Sequence, residues 1–175
     1  MTTTAQDPAR ALPPAVIFDM DGTLVDVSGI RHYILADLTR RDFDSFHRAS
    51  LFCPPHQEVL DAMAAQRASG NTIIVVTARR YRYENITRAW LRKHDAIPDA
   101  FVMRSNSDDR PDVDVKRDIL AGIRRHYEVV AAWDDNPAVI ALWRSENIPV
   151  TLVPGWDDPV LLPDGRTVAN WAAGA

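Results

Sequence analysis

Several residue types and patterns are scarce or missing in this sequence, and each shortage closes off a class of explanation. Among 175 residues there is one cysteine, Cys53, so neither an internal disulfide nor a cysteine-based zinc site can form. A reducing compartment fits, and the chain reads as cytoplasmic. No run of about 18 apolar residues is available to span a bilayer, and the opening MTTTAQDPARALPP lacks the apolar core of a signal peptide. No membrane partner is expected. Positive charge is not in excess either: 24 acidic side chains outweigh 20 basic ones for a formal charge of -4, which gives no global field that attracts nucleic acid. There is no GxxxxGK followed by Ser or Thr, the loop that cradles nucleotide phosphates in P-loop enzymes. Lysine is nearly absent, with only Lys93 and Lys116 beside 18 arginines, so the position of each lysine is informative.

The length fits one domain at about 150 residues each, and 46% apolar with 25% charged residues is ordinary for a globular core. Residues 1–12 read as a flexible leader, 13–156 as a single domain and 157–175 as a tail with a Pro-Asp-Gly turn signal and little periodicity. Within the domain, short runs rich in Val and Ile (15–19, 72–77, 100–103, 129–133 and 149–153) alternate with amphipathic stretches at 56–68, 83–94, 115–127 and 137–146. Non-alternating apolar runs suit strands covered on both faces. Strand and helix in strict succession predict an α/β fold with a parallel sheet of about five strands and helices on both faces. Residues from about 26 to 54 interrupt the rhythm as a small insertion after the first strand, at the edge where open α/β sheets bind ligands.

The first strand runs into Asp19-Met20-Asp21-Gly22-Thr23. Residues two apart on extended chain face the same way, so Asp19 and Asp21 can converge, and Gly22 lets the chain turn away unobstructed. Taken alone, Asp-Gly is equally a turn signal. A second run, VVAAW, ends in Asp134-Asp135-Asn136-Pro137, so two strands deliver carboxylate pairs to one sheet edge. Such repulsion calls for a divalent cation, and hard oxygen donors with open positions suit Mg²⁺. Thr77 closes the TIIVVT run with a hydroxyl at the same edge, and Lys116 heads a helix where its ammonium can meet a phosphate. Individually these are an ordinary helix N-cap and a solvated lysine; in this order with the two Asp pairs they form a set.

In that order, DMDGTLV, Thr77, Lys116 and the Asp134–Asp135 pair resemble the four motifs of the haloacid dehalogenase-like (HAD) phosphohydrolases over about residues 14–155. A narrower resemblance is to the 3′-phosphatase domain of bacteriophage-type polynucleotide kinase/phosphatases. It is carried by Arg79 two after Thr77, the helix with Thr87, Arg88 and Trp90, Met103, Arg110 and Asp112 ahead of Lys116, and the Trp143-Arg144 pair. Arg31 is the loose counterpart of an arginine that follows the first motif in those enzymes. The resemblance implies a three-layer HAD-like (Rossmannoid) domain, with the phosphatase half of such enzymes and no kinase half in this sequence.

For a phosphomonoester the resemblance implies covalent catalysis. Asp19 attacks phosphorus, and Asp21 protonates the leaving sugar oxygen and then activates water. Mg²⁺ is held by Asp19, the main-chain carbonyl of Asp21, Asp134 and, directly or through water, Asp135. Thr77, Lys116 and amides of the turn at Gly22 and Thr23 bind phosphoryl oxygens. Substrate contacts are expected from Arg79, Arg31, Arg88 and Arg110. Residues 79–93 carry a net charge of +5 with Tyr81, Tyr83 and Trp90 interleaved, a composition suited to phosphate contact and base stacking, although the spacing of Trp90 favours a core position. The expected partners are phosphorylated DNA or RNA ends, with a kinase or ligase supplied in trans. Hydrolysis of mononucleotides or other small phosphomonoesters, and noncatalytic binding of nucleic-acid ends, stand as alternatives.

Overall fold

The computed structural model describes residues 11–37 and 39–169; the leader expected over 1–12 lies almost wholly outside them. Five strands, β1 (Pro14–Phe18), β2 (Thr72–Arg80), β3 (Ala100–Arg104), β4 (Glu128–Asp134) and β5 (Val150–Leu152), form one sheet in the order β3-β2-β1-β4-β5. Every pairing in it is parallel. The helices are α1 (His32–Leu35), α2 (Phe43–Ser50), α3 (Gln57–Ala68), α4 (Glu84–Lys93), α5 (Asp112–Ile123) and α6 (Pro137–Ser145).

Strand side chains alternate between two cores. Val16, Phe18, Ile73 and Val75 pack with Val59 and Met63 of α3 and with Trp90 and Leu91 of α4. Ala15, Ile17, Ile74 and Val76 pack on the other face with Leu120 and Ile123 of α5 and with Val139, Leu142 and Trp143 of α6. Period-two alternation in the central strands thus feeds a core on each face of the sheet, which is why their runs read as uniformly apolar. The result is the expected three-layer HAD-like α/β architecture. Trp90 is wholly buried, and its indole Nε1 donates to Cys53 O at 2.9 Å.

From β1 the chain builds outward through β2 and β3, then crosses back to β4 on the other side of β1. The sheet's switch point therefore falls between the carboxyl ends of β1 and β4, where such sheets hold ligands. The insertion, comprising a 3-10 turn at Ser28–Ile30, α1 and α2, stands above that edge with Phe46 buried in the first core. Two extents differ from expectation. β2 continues to Arg80 rather than stopping at Thr77, with a register irregularity between those residues. The segment after 156 contains an antiparallel hairpin, β6 (Val160–Leu161) and β7 (Thr167–Val168), whose Val160 is buried against the insertion.

Candidate active site

β1 ends at Phe18, and Asp19, the next residue, is tied to the neighbouring strand by its N–H, which donates to Trp133 O at 3.0 Å. The chain then turns tightly: Val25 N donates to Met20 O and Gly22 N to Val25 O, both at 2.9 Å. Gly22 has φ +86°, and a Cβ there would lie 2.0 Å from Asp135 Oδ2. Glycine is thus required both by the backbone and by the close approach of a carboxylate. Asp134 closes β4 and Asp135 follows it. Asn136 caps α6 by accepting from Ala138 N at 3.0 Å, and Pro137 occupies the first helical turn. The positive end of that helix faces the carboxylate pair.

One oxygen each from Asp19, Asp134 and Asp135 lies within 4.8 Å of the other two, and all three residues are buried. Burial pushes the Asp19 carboxyl well above the usual carboxylate range; Lys116 opposes this, and the charges of Asp134 and Asp135 add to it. Burial, with the Asp134 charge beside it, raises Asp135 to about 7. These acids crowd one another and are short of positive charge, and a small divalent cation with oxygen coordination is what the donor set fits.

Lys116 lies on the inward stripe of α5 together with Leu120 and Ile123, at helical spacings of four and seven. This apolar stripe carries the ammonium under the sheet edge, where Nζ donates to Asp19 Oδ1 at 2.6 Å and to Asp134 Oδ2 at 2.8 Å. Burial works against the charged form, but the two carboxylates more than reverse it and hold the ammonium above its ordinary pKa.

Asp21 stands outside the triad but within electrostatic reach of Lys116. Arg79 grips it with two nitrogens, Nε to Oδ2 at 2.7 Å and Nη2 to Oδ1. Arg79 is itself buried and fixed by Nη1 donating to Thr87 Oγ1 at 3.1 Å. Burial would raise the Asp21 carboxyl, but the Arg79 guanidinium overcomes it and leaves the pKa below the usual value. Thr77 is buried, and its Oγ1 accepts from Arg79 N at 3.2 Å.

The other expected contacts are distributed differently. Thr23 Oγ1 donates to Asp135 Oδ1 at 3.2 Å, so Thr23 and Gly22 shape the position of that carboxylate. Arg31 is buried and directs its guanidinium to the main-chain oxygens of Gly155, Trp156 and Asp158, fastening the insertion to the chain beyond β5. Arg88 pairs with Glu84 one helical turn away, and Arg110 pairs with Asp108 and Asp118. The structure does not bring these last two into the cluster. Two further side chains do reach it. Trp143 Nε1 donates to Asp134 Oδ2 at 3.2 Å. His47, on α2, is buried with its ring 4.2 Å from that of Tyr83 and within electrostatic reach of Asp21 and Arg79. Trp143, nine residues after Asp134, is marked in the sequence as part of the Trp143-Arg144 pair; for His47 no local pattern exists.

Residues 13–155 match the polynucleotide kinase PNKP phosphatase domain. The chain belongs to that family. It is a HAD-like phosphatase domain. It is 29% identical over 140 residues to a protein of Autographa californica nuclear polyhedrosis virus named as a bifunctional polynucleotide kinase/RNA ligase, covering 78% of this chain and 19% of the viral protein. Two solved structures of a Pnkp1/Rnl/Hen1 complex are also similar. One has a TM-score of 0.70 and 26% identity over 87% of this chain and 51% of the other. The second has a TM-score of 0.71 and 27% identity over 86% of this chain and 45% of the other. The phosphatase domain thus spans about half or less of these relatives' lengths. A class C acid phosphatase from Bacillus anthracis shares the fold, with a TM-score of 0.60 at 12% identity over 83% of this chain and 69% of the other.

Proposed function

We propose that this domain is a Mg²⁺-dependent polynucleotide 3′-phosphatase that works through an aspartyl-phosphate and prepares nucleic-acid ends for repair. The observation that carries the chemistry is the division of labour among the carboxylates: Asp19, Asp134 and Asp135 converge with Lys116, while Asp21 stands apart on Arg79. A nucleophile and an acid–base group with separate environments are what two-step hydrolysis requires.

Asp19, Asp134 and Asp135 would hold the cation, which supplies charge neutralisation for the phosphoryl oxygens when bound. Asp19 Oδ attacks phosphorus as the bond from phosphorus to the sugar oxygen breaks, and Asp21 gives its proton to that oxygen. In the second step Asp21 takes a proton from water, the water oxygen attacks the same phosphorus, and inorganic phosphate leaves with Asp19 restored. Lys116 keeps Asp19 in place and offsets charge on the transferring group. Before substrate arrives, Arg79 keeps Asp21 ionised. A phosphate that draws the guanidinium toward itself returns Asp21 to a higher pKa and makes it an acid, since loss of a nearby positive charge raises a carboxyl. Thr77, beneath Arg79, fixes the backbone from which that guanidinium projects.

Substrate and partner come from the relatives. Their names join polynucleotide kinase to RNA ligase and to an RNA repair complex, which supports phosphorylated RNA or DNA ends as substrate and a kinase or ligase acting alongside. The test is to incubate the protein with Mg²⁺ and, separately, a 3′-phosphorylated oligonucleotide, a 5′-phosphorylated oligonucleotide and a 3′-mononucleotide. Phosphate release from the first alone is expected. Preference for the mononucleotide would refute the polymer substrate, and oligonucleotide binding without release would refute the enzyme.

A further inference from the structure

The two flanks of the site differ in charge. On one side, beyond Gly22, lies a cleft of about 210 Å³ bordered by Asp26, Asp135 and Asp158. Its one arginine, Arg31, is committed to main-chain oxygens. A polyanion is repelled there. On the other side, the end of β2 leads into the segment 79–93, where Arg79, Arg80 and Arg88 pair with Asp21, Asp109 and Glu84, and Arg82, Arg92 and Lys93 make no salt bridge among the described residues.

That second flank also carries flat groups in contact. The Arg82 guanidinium lies 4.8 Å from the Tyr83 ring centroid. The Tyr83 ring meets His47 at 4.2 Å, and His47 meets Phe43 at 6.3 Å with planes 25° apart. The inner part of this run adjoins the catalytic pair, because Tyr83 O accepts from Thr87 Oγ1 at 2.9 Å, the hydroxyl that holds Arg79. Its outer part is open, with Phe43 42% exposed and Arg82 exposed; Tyr81, which precedes Arg82 in the chain, is 49% exposed. The segment is held firmly: Arg80 Nη1 donates to Asn106 O at 3.0 Å, and Asn106 Oδ1 accepts from Arg82 N at 2.8 Å. Exposed aromatic faces and an arginine on an anchored loop, leading to a phosphate-handling centre, match what a single strand recognises: stacking for bases and positive charge for the backbone.

We propose that Phe43, Tyr81 and Arg82 form the track along which a single-stranded polynucleotide reaches the site, its bases stacking on the two exposed rings and a backbone phosphate resting on Arg82. This rests on the polynucleotide 3′-phosphatase reading and adds to it a direction of approach and three specificity-determining residues outside the catalytic set. A mononucleotide, which ends at the reacting phosphate, makes none of these contacts.

The experiment measures kcat and KM for a short single-stranded 3′-phosphorylated oligonucleotide and for a 3′-mononucleotide in wild type, Tyr81→Ala, Phe43→Leu, Arg82→Ala and Asp158→Ala. Phe43→Leu keeps apolar bulk on α2 and removes the flat ring. Expected is a rise in oligonucleotide KM of about five- to one-hundredfold on loss of a stacking ring. Oligonucleotide kcat and all mononucleotide constants are expected to stay unchanged. Arg82→Ala should also flatten the salt dependence of oligonucleotide KM, and Asp158→Ala should leave KM unchanged or lower it. If oligonucleotide KM is unaffected by Tyr81→Ala and Phe43→Leu, or if both substrates suffer equally, the track is wrong. A wild-type enzyme that shows no preference for the oligonucleotide overturns the polymer reading itself, and this is seen before any variant is compared.

Discussion

Replacing Gly22 by alanine tests whether the turn after β1 and the metal-ligand geometry are one construction. The new Cβ would sit 2.0 Å from Oδ2 and 2.5 Å from Cγ of Asp135. The carboxylate must retreat by more than an ångström to reach ordinary van der Waals contact. Retreat breaks the 3.2 Å bond from Thr23 Oγ1, worth about 1 kcal/mol. Holding an L-residue at φ +86° costs a further 1–2 kcal/mol, approximately. The summed loss is about 2–3 kcal/mol, read by urea denaturation followed by tryptophan fluorescence. Because Asp135 is one of three carboxylates within 4.8 Å, its displacement also opens the cation site, and the Mg²⁺ concentration for half-maximal hydrolysis should rise about ten- to one-hundredfold. Thr23→Val separates the contributions by removing only the hydrogen bond, at about 1 kcal/mol. Should Gly22→Ala match wild type within about 0.5 kcal/mol, the spread of a neutral surface change, and keep its Mg²⁺ response, the coupling of turn to ligand would be refuted.

Asp19→Asn is expected to abolish turnover while preserving the fold, since the amide oxygen still accepts from Lys116 Nζ and a carboxylate opposed by burial is removed; initial rates beside thermal melts check both halves. Lys116→Met leaves Asp19 and Asp134 buried without their shared cation, at a cost of about 3–5 kcal/mol; denaturation in EDTA should show the full loss and saturating Mg²⁺ a smaller one. Metal-free stability should depend on pH through Asp19 and Asp135, whose carboxyls burial raises, Asp135 to about 7. Groups raised above their unfolded values favour the fold below the ordinary carboxylate range, near pH 4, and that advantage disappears as pH rises through the folded pKa. Melting temperature in EDTA should therefore fall as pH rises toward and through about 7, and Mg²⁺ should flatten the curve; an unchanged melting temperature in EDTA would contradict the crowding of these acids.

The fold was legible because its signals are local. β1, β2 and β3 are short apolar runs whose odd and even residues serve opposite cores, and α4, α5 and α6 bury residues at helical spacings. Asp19, Asp134, Asp135 and Lys116 were legible because strand ends and a helix face dictate their direction. Asp21 was half legible. The rule that residues two apart share a face holds while the chain is extended, but β1 stops at Phe18 and the turn at Gly22 sends Asp21 to Arg79 instead. The role of Arg31 depends on three carbonyls more than a hundred residues away, and main-chain acceptors leave no mark in a sequence. His47 looks like any histidine on a short helix until the insertion folds over Tyr83. Arg88 and Arg110 lie outside the triad, each paired with an acidic neighbour within a few residues, Glu84 or Asp108.

The same contrast gives the site its logic. Four aspartates lie at the carboxyl ends of two adjacent strands, and among the described residues two basic side chains, Lys116 and Arg79, make salt bridges with them, each shared differently. Lys116 bridges Asp19 and Asp134, while Asp135 makes no salt bridge among the described residues and feels Lys116 and Arg31 only through space, so the triad is under-neutralised and receptive to a cation. Arg79 satisfies both oxygens of Asp21, so that acid is silent until something competes for the guanidinium. A phosphate ester would be a competitor suited to both, because its dianion can pair with a guanidinium and would offer oxygens to a divalent ion held by the triad. On the proposed mechanism, a phosphate that draws Arg79 toward itself would raise the proton affinity of Asp21 when a leaving oxygen needs a proton. Water, which carries no charge to compete for the guanidinium, would leave the Asp21–Arg79 pair in place, so that activation of the acid would follow occupancy by a phosphate.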